Sequence, residues 1–185
     1  MADSFYLETE RFLLRPWKSS DFSNFCRLAK NPQIMRYVNQ GKTWSDKRIL
    51  SFVDKQKKRF QEDGYCRWVV VNKIKNNFVG LCGVGLFEPP GFLEIGWWIE
   101  ENFWGNGYAT EAARCSLEHA FREIHIPHLK SVVHPDNHAS LAVIRKIGFQ
   151  QKRSGLLGDY QRSPKNLPIV TYSLFNPYLN FSHQK

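Results

Sequence analysis

The run from Trp97 to Ala113 constrains the fold more than any other part of the chain. An apolar strand, Trp97-Trp98-Ile99, gives way to two glycines, Gly105 and Gly107, and the chain then enters an amphipathic helix at Tyr108. Glycine has no Cβ, so the backbone can turn tightly and leave its N–H groups pointing outward. The first turn of the helix adds unpaired N–H groups and the positive end of the helix dipole. The segment therefore reads as a cofactor cradle, in which an anion such as a phosphate can sit without a lysine.

The residues on either side predict a mixed α/β sheet. Arg11 to Trp17 is short, mostly apolar and interrupted by proline, which suits a first strand. Ser20 and Asp21 offer a cap for a helix through Lys30. Ser45 offers another for a charged helix through Glu62 with Ile49, Leu50, Phe52, Val53 and Phe60 on its apolar face. Strands at 67–71, 78–84 and 92–99 are separated by Lys75-Asn76-Asn77 and Pro89-Pro90-Gly91, links too short for helices, so they form an antiparallel meander. From Tyr108 the apolar period becomes helical through Ala112, Ala113, Ser116, Leu117, Ala120, Phe121 and Ile124, until Pro127. A strand at 129–133 follows. Pro135-Asp136-Asn137 opens a helix with the face Leu141, Ile144 and Ile147, ended by Gly148, and residues around 169–174 belong to a closing pair of strands.

A chain of 185 residues that is 42% hydrophobic can bury one core, so 1–185 is expected to be a single domain. The formal charge of +9 favours anionic partners: a phosphorylated cofactor, an acidic substrate or an RNA-rich particle. Cys26, Cys66, Cys82 and Cys115 form no C-x-x-C pair and have no histidine couple beside them, so free thiols are expected and no metal. Without a basic-then-apolar leader or a run of about 18 apolar residues, the expected setting is cytoplasmic and away from the membrane. Aromatic side chains are abundant at 15%, yet no nucleic-acid-binding module accompanies them, so no specific nucleic-acid site is expected. The sequence does not choose between monomer and homodimer.

Strand, glycine turn, helix and strand could also begin a dinucleotide-binding fold. The third glycine of that fingerprint is missing, since Thr110 and Glu111 follow Ala109, and the preceding strands form a meander instead of a βαβ series. A phosphate-loop hydrolase would need Gly-Lys-Ser or Gly-Lys-Thr after the glycines. An ordinary tight turn before a helix remains open on these residues alone.

Trp104-Gly105-Asn106-Gly107-Tyr108-Ala109 resembles the Gln/Arg-x-x-Gly-x-Gly/Ala motif of the GNAT acetyltransferases, with Trp104 where glutamine or arginine is usual. Trp-Gly-x-Gly-Tyr-Ala-Thr-Glu-Ala is the form the motif takes in the RimJ/RimL-like branch, relatives of enzymes that acetylate N-termini of ribosomal proteins. Leu7 to Pro16 resembles the opening strand of that branch. Asn137-His138-Ala139-Ser140 with Ile144-Arg145-Lys146-Ile147-Gly148-Phe149 resembles its Asn-x-x-Ser and Lys-x-Gly-Phe signature. The three motifs stand in order from about residue 7 to 150.

The resemblance implies a GNAT fold, a mixed and mostly antiparallel sheet with splayed parallel strands four and five flanked by helices. It implies that acetyl-CoA enters between those strands, which end at Ile99 and near Val133. Its pantetheine arm would pair with backbone of Trp97, Trp98 and Ile99, its pyrophosphate would take N–H groups from Gly105 to Thr110 beside Trp104, and Asn137 would touch the pantetheine. The amine would attack directly in a ternary complex, with a backbone N–H near Ile99 as oxyanion donor. Many GNAT enzymes protonate the thiolate with a tyrosine seven residues after this asparagine; here that position is Ile144. Ser140 is the proposed acid in the RimL-like branch, although a serine there can equally stabilise the helix start, as Asn137 can cap it.

For the base, alternation places Glu94 on one strand face with Gly96, Trp98 and Glu100, where burial among Phe92, Trp97 and Trp98 would raise its pKa. A packed or ion-paired Glu94, His134 as base, and a water chain alone remain open. The expected acceptor is a protein N-terminus, particularly of a ribosomal protein, with ribosome association through the basic surface. A polyamine, amino acid or antibiotic acceptor, or a noncatalytic acyl-CoA sensor, are the alternatives. Acceptor choice is expected to lie in residues 20–62 and in Gly155 to Pro168.

Overall fold

The computed structural model describes residues 5–38, 41–87, 91–157 and 167–179. The chain begins with β1 (Leu7–Glu8) and β2 (Phe12–Arg15), followed by α1 (Phe22–Ala29), α2 (Pro32–Met35) and α3 (Asp46–Asp63). The meander β3 (Arg67–Asn72), β4 (Phe78–Phe87) and β5 (Phe92–Ile99) comes next, then α4 (Tyr108–Arg122), β6 (His128–Val133), α5 (His138–Lys146), β7 (Gln150–Leu156) and β8 (Pro168–Phe175). All strands join one sheet in the order β1-β2-β3-β4-β5-β6-β8-β7. Every adjacent pair is antiparallel except β5 and β6. This is the mixed, mostly antiparallel sheet flanked by helices that the resemblance implied. A two-residue strand at the edge shifts the numbering, so the parallel pair expected as strands four and five is β5 and β6.

Helices cover both faces, and strand alternation distributes side chains between them. On β3, Trp68 and Val70 enter the core shared with α4 and α5, whereas Val69 and Val71 enter the core shared with α1 and α3. On β5, Ile95 and Ile99 join the first core and Trp98 the second, where it meets the rings of Phe25, Trp44 and Phe52. A sheet covered on both faces explains why β3 and β4 read as unbroken apolar runs.

Local chemistry sets several boundaries. Asp21 does not cap α1. Both its oxygens accept from Arg15 at 2.7 Å and one also accepts the Lys18 N–H at 2.7 Å, so the chain makes a 3-10 turn over Ser19–Asp21 and α1 starts at Phe22. Ser45 caps α3 by accepting the Arg48 N–H at 3.4 Å, and the helix ends on Gly64. Leu50, expected on the buried face, is 50% exposed, because Ile49 and Val53 already fill the contact with the sheet. The short α2, not foreseen, is nucleated by Asn31, whose side chain accepts the Gln33 N–H ahead of Pro32. The Lys75-Asn76-Asn77 turn is closed by the Asn72 side chain, which accepts N–H groups of Ile74 and Lys75. Pro89 and Pro90 lie outside the described residues.

The four cysteines are free, with Cys66 and Cys82 buried; burial pushes the Cys82 thiol up to about 12. No helix among the described residues is long and apolar enough to cross a membrane. Phe25 is wholly buried at the centre of the aromatic cluster between α1, α3 and β5. Phe25→Ala should cost about 3–5 kcal/mol in a urea unfolding titration; a loss below about 1 kcal/mol would show that this cluster does not hold the helices to the sheet.

Candidate active site

The parallel strands share one ladder pairing. Glu94 faces Lys130, and one step further the Ser131 hydroxyl donates to the Ile95 carbonyl at 3.3 Å. Each strand then follows its outer neighbour: β5 stays with β4 through Ile99 opposite Gly80, and β6 stays with β8 through Val133 opposite Val170. Backbone groups on a strand alternate in direction. The Ile95 carbonyl points toward β6 and the Glu100 N–H toward Val79 of β4, so Trp97 and Ile99 turn their backbone groups to the opening. The Trp98 carbonyl lies instead against Gly80 of β4, where a Cβ would come within 2.1 Å of it. At the top of the opening the Trp104 indole N–H donates to the Ile99 carbonyl at 2.8 Å. That bond gives a physical role to tryptophan at a position where the motif usually has glutamine or arginine.

Beyond β5 a 3-10 turn over Glu101–Phe103 leads into the glycine turn. Gly105 (φ +77°) and Gly107 (φ +74°) both take left-handed backbone, which side chains at Cβ disfavour. Asn106 closes the turn by donating from its amide to the carbonyls of Trp104 (2.9 Å) and Phe103 (3.4 Å). No side chain caps α4, so the N–H groups at its start have no side-chain acceptor and can receive an anion.

Sequence reasoning missed what holds this turn in place. The Arg11 guanidinium donates to Glu111 at 2.6 Å and to the Asn106 carbonyl at 3.0 Å, and it stacks on the Tyr108 ring at 4.5 Å. Glu111 also accepts the Arg11 N–H at 2.9 Å and the Thr9 hydroxyl at 2.6 Å. The start of β2 is thereby tied to the first turn of α4. Burial would raise the Glu111 pKa, but the hydrogen bonds from Thr9 and Arg11 outweigh it and hold the carboxyl below the usual range.

Across the opening, Asn137 caps α5 by accepting the Ser140 N–H at 3.1 Å. The capping alternative is therefore realised, and it places the Ser140 hydroxyl at the same end of the helix, where both residues line the cleft. Ile144, seven residues after Asn137, is fully buried in the core. His134 lines the cleft beside Tyr37, with ring centroids 5.2 Å apart. Its Nδ1 lies 3.2 Å from the Asp136 backbone nitrogen and 3.8 Å from the Asp136 carboxylate.

Glu94 is buried, and the ion-paired alternative is realised. Arg67 of β3 donates to its Oε2 at 2.6 Å, and the Val132 N–H approaches its Oε1 at 3.4 Å. Burial pushes the carboxyl above its ordinary range, and Arg67 and Val132 draw part of that shift back. Glu94, Ser140, Asn137, Trp97, Trp98, Ile99, Trp104, Gly105, Gly107, Tyr108, Ala109 and Thr110 all line one cleft of about 1040 Å³. Asn106 belongs to the turn behind it. An extended thioester cofactor fits the arrangement, with strand-edge groups at one end and unpaired N–H groups at the other. Among the described residues no group of three or more His, Cys, Asp or Glu is placed to hold a metal.

Residues 11–150 match the family model for an acetyltransferase (GNAT) domain. The chain is 32% identical over 152 residues to the uncharacterized protein YkkB of Bacillus subtilis, covering 80% of this chain and 87% of that one. It is 26% identical over 179 residues to the uncharacterized N-acetyltransferase p20 of Bacillus licheniformis, covering 91% and 94%. It is also 26% identical over 140 residues to spermidine N(1)-acetyltransferase of Escherichia coli K12, covering 74% and 71%. Among solved structures, the ribosomal L7/L12 α-N-protein acetyltransferase RimL in complex with coenzyme A superposes with a TM-score of 0.76 at 20% identity, covering 92% of this chain and 98% of that one.

Two outcomes test the cradle. Gly107→Glu forces a side chain onto left-handed backbone and sets a carboxylate at the N–H groups, so calorimetry should show coenzyme A binding abolished while circular dichroism keeps the native fold; unchanged affinity would contradict the cradle. Because the folded Glu111 pKa is depressed, its ion pair contributes full stability above the unfolded value of about 4.3. That contribution is lost as the pH falls through the lower folded value. Glu111→Gln should therefore lose stability at neutral pH and flatten the acid limb of the unfolding profile; an unchanged limb would show that the clamp carries no energy.

Proposed function

The chain belongs to the GNAT acetyltransferase family, and on that premise we propose that it transfers acetyl from acetyl-CoA to the N-terminal amine of a protein, of the ribosomal-protein type. The observation that carries the reading is that β5 and β6 share one ladder pairing before they part, which opens a cleft running from the uncapped start of α4 to the wall of α3. Bound acetyl-CoA supplies an acetyl thioester, and the remaining work belongs to this chain.

Trp97 and the Ile99 N–H offer strand-edge groups to the pantetheine arm, Asn137 offers its amide nitrogen from the other side, and Gly105 to Thr110 receive the pyrophosphate. The oxyanion donor expected near Ile99 falls instead to the Trp97 N–H, which faces the same opening, because Ile99 lies five residues, roughly 16 Å, along β5 from Glu94. Glu94, with its pKa raised by burial, takes the ammonium proton through a water, and the Ser140 hydroxyl returns a proton to the thiolate, aided by a relayed water. No covalent enzyme intermediate is needed. The RimJ/RimL-like motifs favour a protein N-terminus as acceptor, and the net charge of +9 suits docking on a phosphate-rich particle such as the ribosome.

Thiol release from acetyl-CoA in the presence of N-terminal peptides should detect turnover. Since Glu94 must be ionised to accept a proton, kcat/KM should rise with pH through its raised pKa. Glu94→Gln should lose that limb with about a hundredfold of rate, and Ser140→Ala should lower kcat with little change in KM. Coenzyme A binding without turnover on any amine would leave an acyl-CoA sensor as the function; full activity in both variants would leave acid and base work to water.

A further inference from the structure

A guanidinium crosses the sheet to reach Glu94. Arg67 stands on β3 and Glu94 on β5, with β4 between them and Gly85 of β4 directly opposite Glu94. Gly96, two residues beyond Glu94, bares the same face of β5. The Arg67 side chain lies in this gap. A Cβ on Gly85 would come within 2.8 Å of its Nε and 3.3 Å of its Cζ, and one on Gly96 within 3.6 Å of the Cζ. A side chain at position 85 would therefore take the space that the guanidinium uses.

Both ends of the span are fixed. The Arg67 N–H donates to Oε1 of the buried Gln56 on α3 at 2.9 Å, and the Arg67 carbonyl accepts the indole N–H of the buried Trp17 at 2.6 Å. At the far end Nη2 donates to Oε2 of Glu94 at 2.6 Å. The other carboxylate oxygen, Oε1, is turned to β6, where the Val132 N–H approaches at 3.4 Å. Glu94 thus presents one oxygen bound across β4 and the other at the seam where β5 and β6 part.

Further titratable groups surround it. Lys130, its ladder partner on β6, holds its ammonium 4.6 Å over the Phe92 ring. Arg48, Lys55 and Arg59 of α3, Arg36 and Tyr37 after α2, and His134 and Asp136 after β6 line the same cleft. All of these are common to the wild type and to variants at Arg67 and Gly85, so a difference between those proteins reports the one contact.

Building on Glu94 as the base of the proposed transfer, we propose that Arg67 is its positioning residue, holding Oε2 so that Oε1 meets the water that carries the amine proton, and that Gly85 serves the reaction by leaving the guanidinium its passage. Arg67 also favours the charged form of a carboxyl that burial would protonate. Its loss therefore moves the ionisation of Glu94, and the rising limb of kcat/KM, to higher pH.

The test follows kcat/KM against pH for the fastest N-terminal peptide acceptor, beside a carbon NMR titration of the Glu94 carboxyl. Wild type, Arg67→Met, Arg67→Lys, Gly85→Ala and Glu94→Gln are compared, with coenzyme A affinity by calorimetry as evidence of an intact fold. In Arg67→Met the limb and the carboxyl titration should both move up by at least about one pH unit, which below the limb is about tenfold in kcat/KM. Arg67→Lys should move them less. Gly85→Ala should move them the same way although Arg67 and Glu94 are both present. A limb that is lost in Glu94→Gln but unmoved in Arg67→Met would overturn the inference and leave Glu94 as the base. Movement in Arg67→Met without movement in Gly85→Ala would overturn the part given to Gly85. A limb that survives Glu94→Gln would overturn the base, and the role of Arg67 with it, even where the carboxyl titration moves.

Discussion

Everything specific to the site depends on a competition between neighbours in one sheet. β5 is bonded along its length to β4, and β6 to β8, so the two parallel strands meet at Glu94 and Lys130 and then cannot stay together. An open sheet edge inside a protein exposes strand groups that would normally be paired. Here the consequence is a cleft with a polar edge at Trp97 and Ile99. The Ile99 carbonyl at its upper end is satisfied internally by Trp104, and the remaining groups are those an extended ligand can pair with.

Two electrostatic devices frame the cleft, and they lie on opposite faces of the sheet. On the α4 side, positive potential comes from backbone: uncapped N–H groups and a helix dipole, held in register by the Arg11–Glu111 clamp. On the α3 side Arg48, Lys55 and Arg59 line the cleft, and Arg67 of β3 lies over the backbone of Gly85 and Gly96. Glu94 lies between them, paired to Arg67 with side chains of both only 15% and 12% exposed, so its proton affinity is set by burial and one guanidinium instead of by bulk water.

The cradle was legible because two left-handed positions demanded glycine and the helix after them showed its period at once; Gly105, Gly107 and the face of α4 appear where expected. Asn137 and Ser140 were legible because a cap and its third residue are local. What could not be seen were partnerships across long separations. Arg11 and Glu111 are 100 residues apart, and neither spacing nor periodicity links them. Arg48, Lys55 and Arg59 read as the solvated side of an amphipathic helix, and only the position of α3 over the cleft turns them into a wall. Asp21 had the residue type and place of a cap, yet Arg15 claimed it first. Of the segment Gly155 to Pro168 expected to select the acceptor, residues 158–166 lie outside the described residues.

The most direct measurement is amide hydrogen exchange resolved to single residues, with and without coenzyme A. Binding through backbone groups of a splayed strand and an uncapped helix start predicts slowed exchange at Trp97, Ile99 and the N–H groups from Gly105 to Thr110, with the Trp98 amide unchanged because it faces β4. Saturating coenzyme A that leaves those amides exchanging at their free rates would contradict the account.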